Sequence, residues 1–183
     1  MKKRWFFVSV GLPLLALVGC EDKADLLQNP PAYIVEQIEP YLPMAIDFAK
    51  ENERIALSEG EPLLPQYLQI ANRVGVKHPE KIRIHYVDAL PMPSNESLLL
   101  QMQRLGLDSP FLAGMTYGYG VWINKKSRGD KLLLAHEFIH VRQAEELGLE
   151  ELTKQYFLQI KLFGYREAPI EIEAYDNAAK YLE

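Results

Sequence analysis

Between Leu132 and Leu147 the chain reads LLLAHEFIHVRQAEEL, and no other stretch constrains the fold as much. Its apolar residues recur at helical spacing and run almost all the way round, so the segment is expected to be a helix buried on most sides. Yet His136, Glu137 and His140 lie inside the apolar run. A buried polar group without a partner costs roughly 1–3 kcal/mol, and a charged one more. The fold must therefore supply partners for three polar side chains as well as a core around them.

Positions 136 and 140 share one face of a helix, about one turn apart along its axis. Two imidazoles so placed can both reach one metal ion at Zn–N distances of ~2.0–2.1 Å. Glu137 is rotated by ~100° from His136 and can reach a water in the ion's open position. The pattern HEFIH is thus expected to hold one zinc ion, which lowers the pKa of that water while Glu137 accepts its proton as general base.

Such a site needs a third protein ligand. The one cysteine, Cys20, lies in the N-terminal region and is not available. His78 and His85 lie well upstream, and His85 is expected to face solvent from a strand. The stretch APIEIEAYDNAAKYL downstream is a better source, offering Glu171 and Glu173. These two are ~200° apart on a helix, so only one can face the metal. Glu171 shares its side with Tyr175 and Ala178, which can dock on the histidine helix. Glu173 shares its side with Asn177 and Lys180, a row expected to be solvated.

An HExxH pattern followed by a distant helix carrying Glu-x-Glu-Ala resembles the gluzincin metallopeptidases. The likeness is greatest to the subgroup containing the CAAX-prenyl proteases and their bacterial relatives. In that subgroup the third ligand is the Glu of a Glu-x-x-Ala-Asp pattern, which implies Glu171, with Ala174 as the alanine. The chain departs from the pattern at Tyr175, where the subgroup has Asp, and it lacks that subgroup's transmembrane helices. The resemblance spans about Met115–Ala179. It implies a zincin-like fold, a zinc-dependent peptidase activity and a peptide or protein substrate. Two alternatives are a zincin that binds a partner or cuts another amide, such as a cell-wall crosslink, and a structural envelope lipoprotein in which the motif is incidental.

Further residues are candidates for supporting roles. Gln143, three after His140, shares its face and can hydrogen-bond a ligand. Tyr175 is a second such candidate. Tyr117, Tyr119, Tyr165 and Tyr175 each offer a phenol to an oxyanion, and Asp176 a carboxylate to a histidine. In zincin-like folds the strand preceding the active helix is an edge that pairs with extended substrate. TYGYGVWI stands at that place here.

The N-terminus reads as an export signal. MKKR is a basic start, WFFVSVGLPLLALVG a short apolar run, and Gly19 the small residue before Cys20. LVGC resembles a bacterial lipobox, whose cysteine becomes an acylated N-terminus. The expected organisation is a signal peptide over 1–19, a lipid-anchored tether over 20–31 and one domain over 32–183. The expected location is the bacterial cell envelope, with the membrane contact made by the lipid on Cys20. Loss of Lys2, Lys3 and Arg4 with the signal takes the formal charge from −5 to −8. So acidic a domain has no electrostatic reason to bind nucleic acid.

The remaining pattern is α+β, mostly helical with a small sheet. One or two helices are expected over Ala32–Leu57, broken near Pro40 and Pro43. A helix near Pro65 closes at Gly75, and a strand covers Lys81–Val87. A helix capped by Ser94 or Asn95 ends at Gly106. One strand, bulged by its glycines, covers Met115–Ser127. Three helices follow: Lys131–Leu147 capped by Asp130, one from Glu150 to Gly164, and one from Pro169 to about Tyr181.

Overall fold

The computed structural model describes residues 23–109 and 112–183. The expected export signal over 1–19 and Cys20 lie outside the described residues. Helix α1 (Lys23–Gln28) belongs to a unit apart from the one that spans Pro31–Glu183. The stretch expected to be a tether thus contains one short helix. KADLLQ is made mostly of good helix formers, and Pro30 and Pro31 stop it.

The larger unit is α+β, mostly helical, with one four-stranded mixed sheet in the order β1-β2-β4-β3. Its strands are β1 (Glu61–Pro62), β2 (Arg83–Val87), β3 (Gly114–Tyr117) and β4 (Gly120–Asn124). The parallel pair β2–β4 is central, with Ile84 opposite Val121 and Tyr86 opposite Ile123. The two outer strands pair antiparallel, which leaves β3 at one edge. Two strands replace the single one expected over Met115–Ser127. Gly118, at φ +57°, opens a two-residue turn between Tyr117 and Gly120, where only glycine is at ease at the first position. The glycines therefore make a hairpin and not a bulge.

The helices follow the punctuation of the sequence. Pro40 falls in a 3₁₀ turn between α2 (Ala32–Ile38) and α3 (Leu42–Glu59), and Pro43 in the first turn of α3. Helix α4 (Pro65–Val74) closes on left-handed Gly75. Asn95 caps α5 (Glu96–Arg104), accepting from the Leu98 N–H at 3.0 Å. Asp130 caps α6 (Lys131–Leu147), accepting from Leu132 and Leu133. Helix α7 (Leu149–Phe163) ends at Gly164. Helix α8 (Pro169–Asn177) opens on its proline and passes into a 3₁₀ turn at Ala178–Tyr181.

Helix α6 lies at the centre. Every residue from Leu134 to Val141 is buried. Leu134, Phe138, Ile139 and Val141 pack on Ile84, Val121 and Ile123 of the sheet and on Ile70 and Val74 of α4. Ala174 and Ala178 join this core. A second core lies among α3, α5 and α7, around Ala45, Leu98, Met102 and Phe157. Among the described residues no helix is long and apolar enough to cross a membrane.

Candidate metal centre

The side of α6 away from the sheet carries His136, His140 and Gln143, and it too is buried. Helix α8 brings Glu171 to that side, and at 1 % exposure it is the most buried carboxylate of the group. One ligand atom from each of His136, His140 and Glu171 lies within 4.8 Å of the others. The Nε2 atoms of His136 and His140 are 3.1 Å apart. Glu171 Oε2 is 3.4 Å from His136 Nε2, and Oε1 is 3.6 Å from His140 Nε2. Ligands ~2.0–2.1 Å from a tetrahedral ion stand about 3.3 Å from one another. The three side chains are thus grouped closely enough to hold a single metal ion.

Hydrogen bonding fixes how His140 presents itself. Gln143 Nε2 donates to Glu173 Oε2 at 2.8 Å and to the Ile170 carbonyl at 3.1 Å, which orients the amide. Gln143 Oε1 must then accept from His140 Nδ1, 2.8 Å away. In a neutral ring this leaves the Nε2 lone pair aimed at His136 and Glu171. Tyr156 donates to Glu171 Oε1 at 2.8 Å. Glu171 Oε2 is buried and makes no hydrogen bond. A buried carboxylate oxygen facing two imidazole nitrogens calls for a cation, either a proton or a metal ion.

The electrostatics agree. Burial drives the pKa of Glu171 up, but His136, His140 and the Tyr156 hydroxyl outweigh it and hold the carboxyl below its ordinary value. Burial pulls His136 down, but Glu171 and Glu137 outweigh it and hold the imidazole above its ordinary value. Burial, aided by Glu171, pushes the Tyr156 hydroxyl well above the usual phenol range, so it stays a donor.

Glu137 lies on the flank of the cluster. Its Oε2 accepts from Thr116 Oγ1 of β3 at 2.7 Å. A Cβ at Gly114 would stand 2.5 Å from Glu137 Oε1, so glycine at this edge-strand position leaves room for the carboxylate. His136 and Glu137 line both an inner cavity and an outer cleft.

Of the other sequence candidates, Gln143 bonds His140 as expected. Tyr175 sets its ring 4.5 Å from that of His136, although the side chain is largely exposed. Tyr165 lines both cavities beside Glu137, and burial drives its hydroxyl pKa up. Tyr117 lines the inner cavity with its hydroxyl on Met115 Sδ. Tyr119 is elsewhere, donating to Glu145. His78 is exposed and outside the cluster. His85 is half-buried against Trp122 with ring centroids 4.6 Å apart, not turned to solvent as expected. Asp176 is exposed.

Glu173 is the clearest correction. Asn177 and Lys180 do form the expected polar row with it. Its carboxylate, however, turns inward to Arg142 and Gln143. It is the outer support of His140 and not a merely solvated acid. Thr116 and Tyr156 escaped notice for a related reason: their roles depend on tertiary pairings, with no local spacing to betray them.

No family model, curated protein or solved structure matches the chain.

Proposed function

We propose that the protein is a zinc-dependent hydrolase of zincin-like fold, acting on peptide bonds in the bacterial cell envelope and tethered there by a lipid on Cys20. The observation that carries this reading is the convergence of His136, His140 and Glu171 around one point, with the Glu137 carboxylate held beside it. Two imidazoles and one carboxylate are the ligand set of a catalytic zinc site that keeps a position open. A zinc ion there would supply Lewis-acid polarisation of a carbonyl and make water a stronger acid.

The chain's own groups do the rest. Gln143 and Glu173 hold His140 in one tautomer, and Tyr156 holds Glu171. Thr116 holds Glu137, which takes a proton from the attacking water and returns it to the leaving amine. Tyr165, which lines the cleft beside Glu137, is the candidate donor to the oxygen of the attacked carbonyl. The β3 edge carries the extended substrate. Asn124 N–H bonds the Ala113 carbonyl, so by alternation the backbone groups of Gly114 and Thr116 turn to the open side.

The test is hydrolysis of blocked peptides and of crosslinked cell-wall fragments by the purified protein. Peptide cleavage that a chelator abolishes and zinc restores is expected. Cleavage confined to cell-wall amides would move the substrate class, and cleavage indifferent to chelator would end the zinc reading.

A further inference from the structure

The inner cavity runs from His136, Glu137 and His140 into the second core, between α3, α5, β3 and α7. Its volume is about 100 Å³. At ~10–15 Å³ per water-sized sphere, that is room for several waters and so for one side chain. Phe48, Met102, Leu107, Leu152 and Phe157 form much of its wall. Ala45 and Ala49, one turn apart on α3, keep one side of it low.

The side-chain hydroxyls of this wall are already engaged, that of Tyr165 with Tyr175. Thr116 Oγ1 donates to Glu137, and Tyr156 to Glu171. Tyr117 donates to Met115 Sδ, and Thr153 Oγ1 to the Leu149 carbonyl. Among the described residues, no charged side chain lines the cavity beyond Glu137 and the three candidate metal ligands. A polar or charged side chain entering it would lose its water and find no free side-chain partner in the apolar wall. An apolar group loses nothing comparable and buries its surface.

We propose that this cavity is a selectivity pocket for one large apolar side chain, of leucine, methionine or phenylalanine type, next to the amide that is cut. The assignment rests on the hydrolase reading for the position of that amide. It rests on the satisfied hydroxyls and the apolar wall for the chemistry of the occupant. The outer cleft shares Leu112, Gly114, His136, Glu137 and Tyr165 with the cavity, so a peptide lying outside can send one side chain inward past Glu137.

The experiment uses blocked peptides that differ at one residue, Gly, Asp, Leu or Phe, in two series that place it on either side of the amide. Binding is read by calorimetry on zinc-loaded Glu137→Gln protein, so that no peptide is consumed. In one series Leu and Phe should bind about 10- to 100-fold more tightly than Gly, and Asp no better than Gly. Ala49→Phe should bring Leu and Phe down to the Gly level and leave Gly unchanged. Thr153→Phe, at a half-buried wall position on α7, should do the same and stands in if Ala49→Phe does not fold. Equal binding of all four residues, a preference for Asp, or no binding at all overturns the pocket. Displacement of every peptide by a long-chain N-acyl amine would make the occupant a lipid chain and overturn the assignment. Cleavage by the unsubstituted protein is read separately. Tight Leu binding without cleavage removes the hydrolase reading and keeps the pocket; cleavage without preference does the reverse.

Discussion

The two long sides of α6 are equally dry and oppositely filled. Toward the sheet and α4 the helix presents Leu134, Phe138, Ile139 and Val141, which need only shape and water exclusion. Toward α7 and α8 it presents His136, His140 and Gln143, with Glu137 on the flank, and each of them needs a placed partner. The first side is filled by many interchangeable contacts. The second is met by single named groups: Gln143 for His140, Thr116 for Glu137, Tyr156 for Glu171. Among the described residues, Glu171 Oε2 and Arg142 Nε are the buried side-chain atoms left with no hydrogen bond. The contrast teaches where to look for chemistry: burial on one side stabilises, whereas burial on the other is tolerated only because the polar groups face one another.

If the contrast is sound, substitutions on the two sides should fail in different ways. The largest expected effect is that of Glu137→Gln, which should lower turnover by ~10²–10⁴-fold, the usual contribution of a general base. Zinc content should be unchanged, because amide and carboxylate have nearly the same shape. Wild-type turnover in this variant would remove Glu137 from the chemistry. Next comes Phe138→Ala, fully buried on the sheet side, which should cost about 3–5 kcal/mol in chemical denaturation. Its zinc affinity per folded molecule should stay near normal. A large loss of affinity in the folded fraction would mean that the two sides are not separable.

Smaller effects sharpen the polar side. Gln143→Ala removes the acceptor on His140 Nδ1 and the donor to Glu173, and should weaken zinc by ~10–100-fold in competition with a chelator. An unchanged affinity would show that the Gln143 bond does not orient the ring. Gly114→Ala should be subtler still, because only side-chain ends, those of Glu137 and Ile123, have to move. Turnover should fall while zinc affinity holds, and a fall in affinity instead would place the strand against the ligands and not against the base.

The apolar side of α6 was legible in the sequence because it is periodic, and periodicity is local. The ends were legible as well, since Asp130, Gly148, Gly164 and Pro169 act on their own neighbours. His136, His140 and Gln143 could be read for the same reason, lying about one helical turn apart, and Glu137 by its place next to His136. Glu171 could be chosen over Glu173 by face, although the choice understated Glu173. Its inward turn depends on Arg142, 31 residues away in sequence. Thr116, Tyr156 and the hairpin at Gly118 were missed. The first two act across tertiary contacts, and a glycine in a β-rich run signals a turn and a bulge equally. Nothing in the sequence announced the inner cavity, whose wall is assembled from residues spread between Ala45 and Glu171.

The central claim is that α8 closes the metal site through Glu171 while Glu173 supports it from outside. Zinc per chain, measured at limiting metal on purified wild type, Glu171→Ala and Glu173→Ala, tests it most directly. One zinc on the wild type is expected, most of it lost from Glu171→Ala and retained by Glu173→Ala with weaker resistance to chelator. The opposite ranking would give the ligand role to Glu173, and a wild type that takes up no zinc would contradict the account altogether.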